Sequence, residues 1–381
     1  MKRECDSSKV DRIQVDSSID SINHGVGFDA VHSNHLKLLG PVAKDYLASL
    51  FSSFVRHSYI PGAMLQGEII PIIKDKNASQ TASSNYRPIM ISSNILKIFE
   101  HCILFQLRRF LIINPRQFGF RANTRCSDAI TVLKETIYTY TSQGSNVHCA
   151  KVDLSKAFDK INHSYLISKL SKTNVPPLII LVLGYMLENV DVCVAFGAGR
   201  GELWRVENGV RQGGILSPYL FNFYINEIID TVSRSNTGCY LGYYATNILC
   251  YADDIFLCSP SSNGLQKLLG IICDQLNQHC LPLNDKSEYI IFFHKITKLF
   301  PVYSLILNGE VLNNVKNCKY LGTILSYDFK IQLDVDRCCD TFLRQFNSIN
   351  FRFSFKKKRN FTVFIQIFLY VFLWGRTMAQ L

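Results

Sequence analysis

The sequence predicts an α+β protein, and three observations predict it. Short apolar runs of strand length stand at residues 69–73, 147–153, 248–251, 255–258 and 289–293. Apolar residues fall at helical spacings over 94–113, 127–140 and 265–278. Two of the apolar runs meet acids at one end, at Asp153 and at Asp253-Asp254.

Taken in order, residues 1–26 are rich in Ser and Asp, lack periodicity and read as a loose leader. From Gly27 to Arg56, Leu36, Leu39, Val42, Tyr46, Leu47, Leu50 and Phe54 keep helical spacing, and Gly40-Pro41 divides the stretch into two helices. The apolar strand 69–73 runs into Lys74-Asp75-Lys76, a polar turn and Tyr86-Arg87-Pro88. Helix 94–113 buries Ile98, Phe99, Ile103 and Leu107, and helix 127–140 takes Ser127 as its N-cap. After the strand ending at Asp153, a helix begins near Asn162-His163. A Gly-rich turn from Gly209 to Ser217 opens onto a helix with Pro218 at its first position. Residues 248–258 form a hairpin whose tip is Ala252-Asp253-Asp254. Residues 289–293 and 303–307 read as strands, and the last part of the chain as helical and basic, with Lys356, Lys357, Lys358 and Arg359 in a row.

Composition narrows the function classes. With 48% hydrophobic and 19% charged residues, the 381-residue chain is globular and long enough for two or three lobes. The net charge of +11 favours a polyanionic partner. Thirteen scattered cysteines without a Cys-x-x-Cys pair argue against a zinc ribbon and against a secreted disulfide framework, and read as reduced, mostly buried thiols. The polar first 20 residues are no signal peptide, and the apolar run Phe361 to Trp374 is too short to cross a bilayer. An intracellular, reducing location and no membrane partner are expected.

The sharpest chemical signal is Tyr251-Ala252-Asp253-Asp254. Two adjacent carboxylates between oily strands repel one another, and a divalent cation resolves that conflict; a solvated turn is the plain alternative. Asp153, at the end of another apolar strand within Lys151-Val152-Asp153-Leu154-Ser155-Lys156-Ala157-Phe158-Asp159, supplies a third acid. Three acids from two strands make an oxygen cage suited to two Mg²⁺ ions (or Mn²⁺), which stabilise the attacking and leaving oxygens of a phosphoryl displacement. Asp159 reads as a structural acid.

These motifs, with others in order, resemble reverse transcriptases of non-LTR (LINE-type) retrotransposons. The likeness extends through Ser84-Asn85-Tyr86-Arg87-Pro88-Ile89, Lys97-Ile98-Phe99-Glu100 and Gln117-Phe118-Gly119-Phe120-Arg121. It continues through Gly209-Val210-Arg211-Gln212-Gly213-Gly214-Ile215-Leu216-Ser217-Pro218, Leu283-Asn284-x-Lys286-Ser287 and Tyr320-Leu321-Gly322.

The resemblance implies a right-hand polymerase: an antiparallel palm sheet backed by helices, with fingers and a partial helical thumb. Fingers would cover about 27–145 and 164–205, palm about 146–163 and 206–326, and thumb 327–381. Asp153, Asp253 and Asp254 would be the catalytic metal ligands. Phe158 would crowd a ribose 2′-hydroxyl, and Gln212 and Gly213 would lie under the incoming nucleotide and template base. Arg87 and Lys74 would supply cations to the triphosphate, although solvation alone also accounts for Lys74. Lys286 would protonate pyrophosphate or be a plain surface lysine, and Arg121 would contact template backbone or brace the fingers. Lys356 to Arg359 would grip the duplex.

The implied reaction is RNA-directed DNA synthesis from a primer with dNTPs on an RNA or DNA template, in the nucleus. The endonuclease and zinc knuckle of complete elements are not seen in the sequence, and the chain ends within the expected thumb. An inactive nucleic-acid-binding remnant is therefore the main alternative. An RNA-dependent RNA polymerase and a membrane-associated protein are weaker ones.

Overall fold

A computed structural model describes residues 9–22, 25–74, 79–197, 199–294, 304–328, 330 and 332–352, the side chains of 347–352 excepted. The chain is α+β and divides into two compact units. The first comprises Met1–Pro115, Leu154–Ile228 and Gln275–Pro282, and the second Arg116–Asp153, Ile229–Asp274 and Leu283–Leu381. Residues 116–145, expected with the fingers, thus group with the sheet that carries the acids, and residues 206–228 with the other unit.

The first unit is built on a sheet in which Gly67–Ile73 lies between Tyr86–Ser92, antiparallel to it, and Asp191–Phe196, parallel to it. Pro71 lies beyond residues 67–69, the stretch that pairs with Asp191–Phe196, so its missing N–H breaks no bond on that side. The helix Asn94–Leu107 is capped by the Ser93 hydroxyl and buries most of its surface. Phe99 packs there against Phe51 and Phe54 of the helix Pro41–His57, at centroid distances of 5.3 and 5.6 Å.

The expected loose leader is corrected by the helix Arg12–Ser21. It opens on a capping box between Asp11 and Gln14 and buries Val15 and Ile19 against the Pro41–His57 and Asn94–Leu107 helices. Val15, Ile19 and Ile22 recur at helical spacing, a signal hidden by the surrounding Ser and Asp.

The second unit holds a sheet in the order Asn313–Asn314, Glu288–Phe292, Val147–Val152, Asp254–Ser259 and Ile248–Tyr251. Its pairs are antiparallel except the short one between Glu288–Phe292 and Asn313–Asn314. Residues 116–118 lie along the outer strand: the Cys250 N–H donates to the Arg116 carbonyl at 2.9 Å, and the Phe118 N–H to the Cys250 carbonyl at 2.8 Å. Beneath the sheet, Leu133 and Ile137 of the helix Cys126–Ser142 pack with Val147, Phe256, Phe292 and Tyr320. Cys149, Cys239, Cys258 and Cys318 are buried in the same core.

Several element boundaries differ from expectation. The helix expected over 94–113 ends at Leu107, and that expected from Ser127 starts at Cys126, with Arg125 and not Ser127 in the capping position. The strand expected over 303–307 is Ile306–Leu307, residues 301–303 lying outside the described residues. The last described helix is Gln332–Arg352. Lys356 to Arg359 and the apolar run Phe361 to Trp374 lie outside the described residues.

Candidate active site

The strand Val147–Val152 runs antiparallel to Asp254–Ser259 with Val152 opposite Ile255. One step further toward the acidic end, Asp153 and Asp254 are therefore neighbours across the two strands. Asp254 pairs in turn with Tyr251 to close a hairpin whose two-residue tip is Ala252-Asp253. The apolar runs that bury both strands thus fix where the acids emerge, at the strand ends.

The electrostatics follow from that placement. Burial pushes the Asp254 carboxyl above its ordinary range, the adjoining Asp253 adds to the rise, Lys151 opposes it and Asp153 adds further. Asp153 is held by the turn that follows residue 282. The Asn284 amide donates to Asp153 Oδ2 at 2.8 Å, the Asn284 N–H donates to its carbonyl at 2.9 Å, and its own N–H donates to the Ser287 hydroxyl at 3.2 Å.

Asp253 and Asp153 both act on Asp254, and among the described residues no three His, Cys, Asp or Glu side chains converge as a finished metal cluster. Like charges repel, and Asn284 occupies one Asp153 oxygen.

The turn itself is braced from a distant stretch of the chain. Ala252 has φ +54°, in the left-handed region that L-residues avoid. The fully buried Gln117 accepts from the Ala252 N–H at 2.8 Å and donates to the Ala252 carbonyl at 3.2 Å. Arg121 donates to the Gln117 carbonyl at 3.1 Å. Lys286 is exposed.

In the other unit, Phe158 sits in the short helix Ala157–Lys160 with its ring stacked on Phe221, 4.5 Å between centroids and 14° between planes. Gln212 donates from its amide to Asp159 Oδ1 at 2.8 Å and accepts at its carbonyl from the Met90 N–H at 2.7 Å. Gly213 has φ +111°, and a Cβ there would stand 2.8 Å from the Met90 carbonyl oxygen. Glycine is thus required by the protein's own backbone at that position.

Arg87 is exposed on the strand Tyr86–Ser92. Lys74, also exposed, donates to the Ser84 carbonyl at 2.8 Å. The loop 209–217 is anchored by the buried Glu100, which pairs with Arg211 and accepts from the Ile215 N–H at 2.6 Å.

Gln117, Asn284 and Glu100 stand within motif strings legible in the sequence, but their roles are not legible there. Their partners lie 135, 131 and 115 residues away, and nothing local announces them.

The fold is that of a nucleic-acid polymerase. The chain belongs to the family described as "Reverse transcriptase (RNA-dependent DNA polymerase)", which matches residues 73–325.

The "Probable RNA-directed DNA polymerase from transposon BS" of Drosophila melanogaster is 26% identical over 78% of this chain and 33% of its own length. The "Probable RNA-directed DNA polymerase from transposon X-element" of the same organism is 29% identical over 80% of this chain and 34% of its own. The "Retrovirus-related Pol polyprotein from type-1 retrotransposable element R2" of Nasonia vitripennis is 25% identical over 76% and 29%. The chain thus spans about a third of the length of these curated relatives. The resemblance to non-LTR retrotransposon reverse transcriptases is borne out.

Proposed function

We propose that this chain adds deoxynucleotides to a primer 3′ end on an RNA template, and on DNA, releasing pyrophosphate. The observation that carries the reading is the register of Val147–Val152 against Asp254–Ser259, which delivers acids from distant stretches of sequence side by side.

The donor set fits a hard divalent cation. It offers carboxylate oxygens only, and a cation would relieve both the burial that pushes the Asp254 carboxyl upward and the repulsion from Asp253 and Asp153 that adds to it. Asp153, Asp253 and Asp254 would hold Mg²⁺, with Mn²⁺ as a substitute. Bound there, the metal would supply charge stabilisation to the attacking and leaving oxygens.

The remaining roles follow the family resemblance. Phe158, stiffened by its stack on Phe221, is suited to exclude a 2′-hydroxyl. Gln212 and Gly213 form a rigid loop for nucleotide and template, because Asp159 and Met90 fix both. Arg87 would take the triphosphate in a two-pronged grip, Lys74 would add a point charge, and Lys286 a proton for pyrophosphate. Arg121 and Lys356 to Arg359 would meet nucleic-acid backbone. On this reading the second unit's sheet is the palm, the first unit carries the fingers, and the thumb begins in Gln332–Arg352. The family's chemistry would place the protein in the nucleus.

The test is primer extension on poly(rA)/oligo(dT) with Mg²⁺ or Mn²⁺. Wild type should extend, and Asp253→Ala should lose at least about a hundredfold in rate, as expected when transition-state charge stabilisation is removed. Binding without extension by wild type would favour a nucleic-acid-binding remnant. Preference for ribonucleotides would favour an RNA polymerase instead.

A further inference from the structure

We propose that Gln117 is a positioning residue that locks the acidic turn in its left-handed conformation and so aims Asp253 and Asp254; this rests on the polymerase reading above. Two-residue hairpin turns that need a positive φ ordinarily place Gly, Asn or Asp there. Here the position is Ala252, with φ +54°. A residue without that conformational ease needs an external hold.

Gln117 provides it at both ends of the residue. Its Oε1 accepts from the Ala252 N–H and its Nε2 donates to the Ala252 carbonyl, at 2.8 and 3.2 Å. Rotation about φ carries the N–H away and rotation about ψ carries the carbonyl away, so the pair of bonds restrains both angles. The amide is oriented in turn, because Oε1 also accepts from the Gly119 N–H at 2.9 Å.

Gly119 brings the backbone itself against the turn: a Cβ there would stand 2.4 Å from the Ala252 nitrogen. The clamp is fixed to the sheet by the bonds of Arg116 and Phe118 to Cys250, two residues before Ala252. Gln117 is fully buried and its amide bonds backbone groups, so it acts through Ala252 and not on substrate.

The experiment uses the full chain with poly(rA)/oligo(dT), Mg²⁺ and dTTP under single-turnover conditions. Gln117→Met keeps most of the volume and removes donor and acceptor. Its rate constant should fall by about tenfold or more, the loss expected when reacting groups are misaligned, while burst amplitude and the KM for dTTP stay within about twofold. Gln117→Met combined with Ala252→Gly should recover most of that rate, because glycine reaches positive φ unaided.

A fall in burst amplitude at unchanged rate constant would mean that Gln117 merely supports folding, and would overturn the proposal. So would failure of Ala252→Gly to restore the rate in a protein that melts as wild type does.

If Gln117→Met does not fold, Gln117→Glu carries the test. It keeps the acceptor and loses the donor to the Ala252 carbonyl, so a reduced rate constant supports the clamp and a wild-type rate refutes it. Wild type that extends no primer would refute the polymerase reading itself. The clamp is then read from Mn²⁺ binding by electron paramagnetic resonance, where Gln117→Met should bind several-fold more weakly and equal binding refutes it.

Discussion

The side chain of Glu100 is 1% exposed, paired with Arg211 and met by two backbone N–H groups. Arg211, itself 12% exposed, takes one oxygen, and the N–H groups of Ile215 and Leu216 share the other. These N–H groups immediately precede the helix Ser217–Ser233 and have no carbonyl one turn earlier in that helix to serve, so the acid does the work of a cap from a distant element. Burying an ion is unfavourable unless it is fully paired, and removing one partner strands the other. Glu100→Gln should therefore lower stability by about 3 kcal/mol in urea unfolding, because Arg211 is left charged and half-served. Adding Arg211→Met to that variant should recover more than half of the loss. A single-variant effect below about 1 kcal/mol would mean that the pair is already screened by water. The neighbouring Gly213 shows the same tightness from the backbone side, since the Met90 carbonyl leaves no room for a side chain.

Among the elements, those with strong apolar periodicity were legible in sequence and those held by distant partners were not. The hairpin Ile248–Tyr251 and Asp254–Ser259 could be read directly because its strands are uniformly oily and only its tip is charged. The site acids could be read for the same reason. What could not be read were the contacts that hold them, Gln117 to Ala252 and Asn284 to Asp153, since an amide gives no local sign of the backbone or carboxylate it will meet. The helix Arg12–Ser21 was hidden by composition: five of its ten residues are Ser or Asp. Its stability depends on the Asp11 cap and on Val15 and Ile19, buried against the Pro41–His57 and Asn94–Leu107 helices. Asp11→Ala should therefore destabilise the protein by about 1 kcal/mol, in the usual range for losing an N-cap. Hydrogen exchange should speed first at the Gln14 amide, which receives the cap. Uniform protection in the variant would mean that packing alone holds the helix.

Over the whole molecule, acidity acts, among the described residues, through the buried His279 and the half-buried His101 and His148. Desolvation lowers the pKa of His101, of His148 and of His279, in each as the largest cause. His101 feels Glu100 and His279 feels Glu227, and both acids oppose the fall without reversing it. The folded state therefore binds fewer protons at these sites than the unfolded chain, whose imidazoles titrate near an ordinary value of about 6.5. Stability rises with pH wherever the unfolded state holds more protons, so these groups favour folding above that value and oppose it as pH falls below it. The urea midpoint should accordingly drop between pH 7.5 and pH 5.5, with the m-value unchanged. Replacing His148, whose shift has burial as its one cause, with Gln should flatten part of that slope. A midpoint that held steady or rose on acidification would show that the imidazoles gain a proton in the folded state at no penalty, and that burial does not govern them. Nucleic-acid binding should respond in the opposite direction over the same window, because each histidine that does protonate adds to a net charge already at +11. The two slopes measured together separate an effect on folding from an effect on the partner.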